Sequence, residues 1–148
     1  MKMSNREYGE FVKKKSPNSP LFTNMLKAFL VGGAICCIGQ GILNIFTGAG
    51  LGEEEAAAAA SITLVFVGTV LTGFGVYDSI AKFAGAGTLV PITGFANSVA
   101  APALEFKTEG YITGTAAKMF IIAGPVIVYG TVASVIYGLI LTFMEILR

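Results

Sequence analysis

The chain has no histidine, and only 13% of its 148 residues are charged, against roughly 25% in an ordinary soluble domain. Without histidine the commonest general base and the commonest metal ligand are gone. The few charges are also kept out of long stretches. None falls from Ala28 to Gly52, from Ala56 to Tyr77, or from Met119 to Met144. Each run meets or exceeds the roughly 20 apolar residues that cross a hydrocarbon core. The composition is that of an all-α polytopic membrane protein.

Cysteine is nearly absent too. Cys36 and Cys37 are adjacent inside an apolar run, and neighbours on a helix point about 100° apart, so they do not bridge each other. A lipid-attachment site needs a small residue just before its cysteine, where Ile35 stands. A net charge of +1 without a basic, aromatic face excludes nucleic acid as a partner. Asp78, Glu105 and Glu109 are accompanied by no nucleophile, phosphate loop or metal cluster. The Gly-Ala-Gly at Gly85 lacks the strand-turn-helix context of a dinucleotide site. The chain reads as a non-enzyme with neither cofactor nor resident metal.

What is there divides into a polar, basic segment, 1–24, and a membrane domain, 25–148. Within the first, Asn5 to Lys15 has the spacing of a short amphipathic helix with Tyr8, Phe11 and Val12 on one side. Lys13, Lys14, Lys15 and then Ser-Pro-Asn-Ser-Pro end it. This is either a solvated tail or an interfacial helix on an anionic leaflet. The charged leader is too long for a signal peptide, so the first apolar run is an uncleaved span.

Three continuous spans are expected, at 26–46, 56–77 and 111–147, with a broken segment at 78–105 between the second and third. The first span carries a stripe of Gly32, Cys36, Gln40 and Asn44 at four-residue spacing, the pattern that lets helices approach closely in lipid. Gln40 and Asn44 are then either interhelical glue or the wall of a polar path. Glu53, Glu54 and Glu55 open the second span and suit the positive end of its dipole; three consecutive helical residues do not converge on one cation. Ser61, Thr63, Gly68, Thr69, Thr72 and Gly73 make this span small-sided and fit for packing among protein neighbours. In the last span Gly124-Pro125 predicts a kink, and Gly130, Ser134 and Gly138 form another small seam. Lys118 either snorkels to the interface or serves function from inside the membrane.

The broken segment organises the rest. Gly85, Gly87, Pro91 and Gly94 fall at its middle. Proline removes a backbone donor and biases the residue before it, Val90, away from the helical region. Irregular backbone survives in lipid only where protein buries it or it lines a watery cavity. We therefore expect helix, broken loop, helix, with Asp78 and Lys82 paired across one turn at its entrance. Thr88, Thr93, Asn97 and Ser98 add neutral hydrogen-bonding groups. Together with the glycines and Pro91 they are the candidate lining of a path for a polar, nearly uncharged solute. The alternative is that they satisfy one another in a packed bundle.

Orientation follows from the basic residues. Lys2, Arg6, Lys13, Lys14 and Lys15 precede the first span and only acids follow it, which places the N-terminus in the cytoplasm and Glu53 on the far side. If the broken segment re-enters, the C-terminus lies outside; if it crosses, Arg148 lies inside, and Arg148 favours crossing.

Three stretches carry a resemblance: EYGEFVKKKSPNSPLF from Glu7, KAFLVGGAICCIGQGI from Lys27, and LTGFGVYDSIAKFAGAGTLVPITGFANSVAAPALE from Leu71. They are similar to the stage V sporulation protein A membrane subunits, AC- and AE-type, of spore-forming Firmicutes. The central motif is shared by both types, while the leader and the long last span look more like the AC type. The resemblance implies a place in the forespore and spore inner membrane, with the N-terminus on the core side. It implies a tension-gated channel subunit for dipicolinic acid with calcium, taken up in sporulation and released in germination. It also implies a hetero-oligomer with an AE-type membrane subunit and a soluble, dipicolinate-binding AD-type subunit. It carries no pore residues across. Two rival readings remain: a membrane anchor for the soluble partner, and an ion-coupled transporter using Asp78 and Lys118.

Overall fold

The computed structural model describes residues 4–16 and 19–147. Lys2, Pro17, Asn18 and Arg148, on which part of the orientation and turn arguments rest, lie outside them. The described chain is helical: α1 (Asn5–Lys15), α2 (Leu21–Gly48), α3 (Glu53–Gly73), α4 (Val76–Ala84), α5 (Ala86–Leu89), α6 (Ile92–Glu105), a 3₁₀ turn (Lys107–Glu109), a π-helical stretch (Tyr111–Ala116) and α7 (Ala117–Ile146). Among the described residues three helices are long and apolar enough to cross a membrane: Leu21–Gly48, Glu53–Gly73 and Tyr111–Ile146.

α1 starts at a capping box. The Glu7 amide donates to the Ser4 hydroxyl at 3.3 Å, and the Ser4 amide donates to the Glu7 carboxylate at 2.9 Å. The Ser4 amide, and after it the Ser4 hydroxyl, hold the Glu7 carboxyl below the ordinary glutamate range. Because the folded value is depressed, this contribution to α1 is fully present above the unfolded value and is lost as pH falls through the folded one. Hydrogen exchange at Tyr8–Val12, corrected for intrinsic rate, is expected to lose protection in acid, and Glu7→Gln to remove that acid dependence. An acid response identical in Glu7→Gln would show that the cap does not sense pH.

α3 ends four residues earlier than the apolar run predicts. Gly75 takes φ +72°, a left-handed conformation that stops the helix, and Tyr77 consequently belongs to α4 rather than to the second span. α2 begins earlier than predicted, directly after Pro20. Gly124-Pro125 lies inside α7, which continues across it.

The packing is that of a membrane protein. Buried apolar residues are small apart from Tyr77: Ala56, Ala60, Ala84, Ala96, Ala100 and Ala123. The large ones, such as Phe29, Phe66, Phe120 and Leu139, face outward. Small residues at contacts let backbones approach, and lipid accepts the bulky remainder.

The path of the broken segment follows from its contacts. α2 and α3 are antiparallel neighbours, with Gly39 meeting the Leu64 side chain. Lys82 and Phe83 lie by Asn24 and Met25 near the start of α2. Gly87 rests on Ala28 and Gly32, and Pro91 lies by Gly33 and Cys36. The chain then turns back. Thr93 packs on Gly68, Asn97 reaches Thr72, and Glu105 shares a cleft with Thr72 and Asp78 beyond the end of α3. Asn24 to Cys36 is about 18 Å of helix at about 1.5 Å per residue, short of the ~30 Å hydrocarbon thickness. The segment is therefore a re-entrant hairpin that leaves at the end where it came in, and the crossing that Arg148 favoured is not what is seen. α7 starts from that end, packs its first two turns on α6 and runs on alone: every residue from Pro125 to Leu147 is exposed.

Candidate functional site

The break is built differently from the expected loop. Gly85 (φ +54°) ends α4, and a single helical turn, α5, follows before Pro91 starts α6. Val90 keeps helical angles, φ −71° and ψ −44°. The pre-proline bias disfavours that region without forbidding it, and the chain turns instead at Pro91, whose ψ is 159°.

Close backbone contact holds the hairpin. A Cβ at Gly87 would stand 2.8 Å from the Ala28 Cα, and one at Gly94 would stand 2.9 Å from the Leu89 Cα, so only glycine fits at either place. The polar groups of the tip are satisfied internally. Tyr77, 3% exposed, donates its hydroxyl to the Thr88 carbonyl at 2.9 Å and lies 3.1 Å from the Thr93 hydroxyl. Thr88 is 1% exposed, and its hydroxyl donates to the Gly85 carbonyl at 2.9 Å. One phenol thus ties α4, α5 and α6 together. No feature of the Tyr77 neighbourhood in sequence marks this role. An aromatic at a span's end reads as an interface residue, and its partners are 11 and 16 residues away.

Two clefts flank α4 at the end where the hairpin enters. The first, about 470 Å³, is lined by Thr72, Asp78, Ala81, Asn97, Ala101, Leu104 and Glu105. Here the Thr72 hydroxyl lies 2.7 Å from the Gly68 carbonyl and 2.9 Å from Asn97 Oδ1, two acceptors for one proton. The second, about 360 Å³, includes Asn24 and Lys82 in its walls. Asp78 and Lys82 pair across the turn of α4 at 2.6 Å, as their spacing predicts, with both side chains mostly exposed.

The predicted residues therefore separate into groups. Gly87 is buried against α2 and Thr93 against α3, Thr88 and Gly94 are buried within the hairpin, Pro91 is half-buried beside Cys36, and Gly85 is exposed. Asn97 and Asp78 come together in the larger cleft, joined by Thr72 and Glu105. Ser98 donates to the Phe95 carbonyl at 2.7 Å within α6. Gln40 and Asn44 are exposed on α2 and bond each other at 2.9 Å, apart from the hairpin. Lys118, half-buried at the start of α7, stands 4.8 Å from the Phe106 ring centroid.

Comparison with known proteins adds a family. The sequence profile of the SpoVAC/SpoVAEB sporulation membrane proteins matches residues 24–140, nearly all of the membrane domain. Stage V sporulation protein AC of Bacillus subtilis (strain 168) is 50% identical over 134 residues, which are 90% of this chain and 89% of that protein. No solved structure matches.

Proposed function

The chain belongs to the SpoVAC/SpoVAEB sporulation membrane protein family, and we propose that within it this protein is a channel subunit for calcium dipicolinate. The solute would cross the spore inner membrane inward in sporulation and outward in germination. In this reading the basic leader faces the spore core, an AE-type subunit completes the membrane part, and a soluble AD-type subunit presents dipicolinate. The observation that carries it is the re-entrant hairpin with the neutral Thr72–Asn97 pair in an open cleft that Asp78 and Glu105 also line. A hairpin that stops short of the full membrane thickness leaves only a short barrier for other subunits to complete. Calcium chelated by dipicolinate has little net charge, so amide and hydroxyl groups suit it better than a charged ring.

A second reading is favoured by the burial of Thr88 and Thr93 under Tyr77: the hairpin as packed structure, and the subunit as an anchor for the soluble partner. Cysteine accessibility separates the two. Cys36 and Cys37 are exposed and are first changed to serine. Single cysteines then replace Ala86, Val90, Asn97 and Ala101 in the native complex, positions that are at least part-exposed. In the channel reading a membrane-impermeant thiol reagent labels positions 97 and 101, and calcium dipicolinate slows that labelling severalfold. Labelling that calcium dipicolinate leaves unchanged, or complete protection at both positions, gives the anchor reading the lead.

A further inference from the structure

The smaller cleft, between the start of α2 and the end of α4, has a chemistry of its own. Its walls are Leu21, Asn24, Met25 and Ala28 from α2, and Lys82, Phe83, Ala84, Gly85 and Ala86 from the hairpin. No carboxylate is among them. Lys82 supplies a cation and Asn24 an amide, and Lys27 stands over the Phe83 ring at 4.8 Å from its centroid. Lys82 thus lines the cleft itself, and Lys27, outside its walls, reaches the ring of the Phe83 that does line it.

Each lysine can be recruited. Among the described residues Lys82 pairs with Asp78, in an exposed pair of i, i+4 spacing, and such pairs are weak enough for an arriving anion to compete. Lys27 holds the Phe83 ring face, an arrangement that leaves ammonium protons free to donate. The cleft lies at the end of the bundle where the hairpin enters and where α2 begins, the level at which headgroups and aqueous solutes meet the protein.

We propose that this cleft is a binding site for a carboxylate or phosphate anion carried on an apolar body. Lys82 and Asn24 take the anion, with the Lys27 ammonium close by over the Phe83 ring, while Phe83, Leu21 and Met25 take the body. Two sources share that chemistry, the headgroup of an anionic lipid and a free aromatic carboxylate. The site stands independently of the channel reading, because it requires binding and not passage.

The test uses the full chain in phosphatidylcholine nanodiscs. Phosphatidylglycerol is added as a minor lipid and its retention read by native mass spectrometry; in separate discs, binding of labelled dipicolinate without calcium is read by equilibrium dialysis. At about fivefold per lysine, Lys27→Gln and Lys82→Gln should each lower retention or binding of one probe about fivefold, and the double variant about 25-fold. Lys27→Arg with Lys82→Arg should retain most of it, and Lys107→Gln, on the turn before α7, should change nothing. Loss confined to phosphatidylglycerol assigns the site to lipid, and loss of dipicolinate assigns it to the solute. Wild-type protein that holds neither probe, or a monodisperse double variant that holds both as before, overturns the site. Since no flux is measured, a failed channel leaves the result intact, and a failed site leaves the channel open.

Discussion

Gly87→Val prevents the protein from accumulating in the membrane, whereas Gly124→Ala leaves its level unchanged. The added Cβ would stand 2.8 Å from the Ala28 Cα and 2.9 Å from the Ala28 carbonyl carbon. These are backbone atoms of α2, two turns from its start, so no flexible side chain can move out of the way. Overpacking that neighbours absorb costs about 1–3 kcal/mol; here a whole helix must shift, and a cost above that range is expected. The same contact holds α5 to α2, so losing it frees the hairpin from the bundle. Gly124, by contrast, has nothing within 4 Å of its would-be Cβ, and alanine is the better helix former. Membrane-fraction immunoblotting at matched expression reads both variants. Wild-type levels of Gly87→Val would mean that α5 does not rest on Ala28.

Tyr77→Phe loosens the hairpin without emptying its core. The ring stays, but the Thr88 carbonyl and the Thr93 hydroxyl lose their shared partner. A buried group left unsatisfied costs about 1–3 kcal/mol. Tyr77→Ala adds a cavity, and about 3–5 kcal/mol in total is expected by analogy with other large-to-small aromatic changes. The readout is hydrogen exchange over Gly85–Gly94 in detergent or nanodiscs, with exchange of α3 as the internal reference. Faster exchange confined to the hairpin in Tyr77→Phe is the expected result. Exchange that rises equally in α3 would make Tyr77 a general core residue, and no change at all would remove it as the tie between α4, α5 and α6.

Several features were legible locally. The charge-free runs identified three spans because burial of charge in hydrocarbon is costly wherever it occurs along a chain. Gly85 and Pro91 marked the break, since a positive φ and a missing amide act on the residue itself. The Asp78–Lys82 pair was readable because its partners sit one turn apart. The boundary of α3 was misread because its apolar run continues through Phe74 to Tyr77, and hydropathy does not register the left-handed turn at Gly75. At the other end, Gln40 and Asn44 fitted an interhelical role by spacing, yet their amides meet each other on one exposed face.

By itself, then, the sequence determined that this is a helical membrane protein with three spans and a broken fourth segment, because those properties follow from residue-by-residue transfer cost and backbone chemistry. Only the tertiary structure decided that the broken segment re-enters, that Tyr77 ties it together, and that Asn97 and Asp78 share a cleft with Thr72 and Glu105. The physical reason is range. A segment as long as 78–105 can cross or turn back at similar local cost. What selects the return is a set of contacts between residues far apart in the chain: Gly87 on Ala28, Thr93 on Gly68, and Asn97 on Thr72.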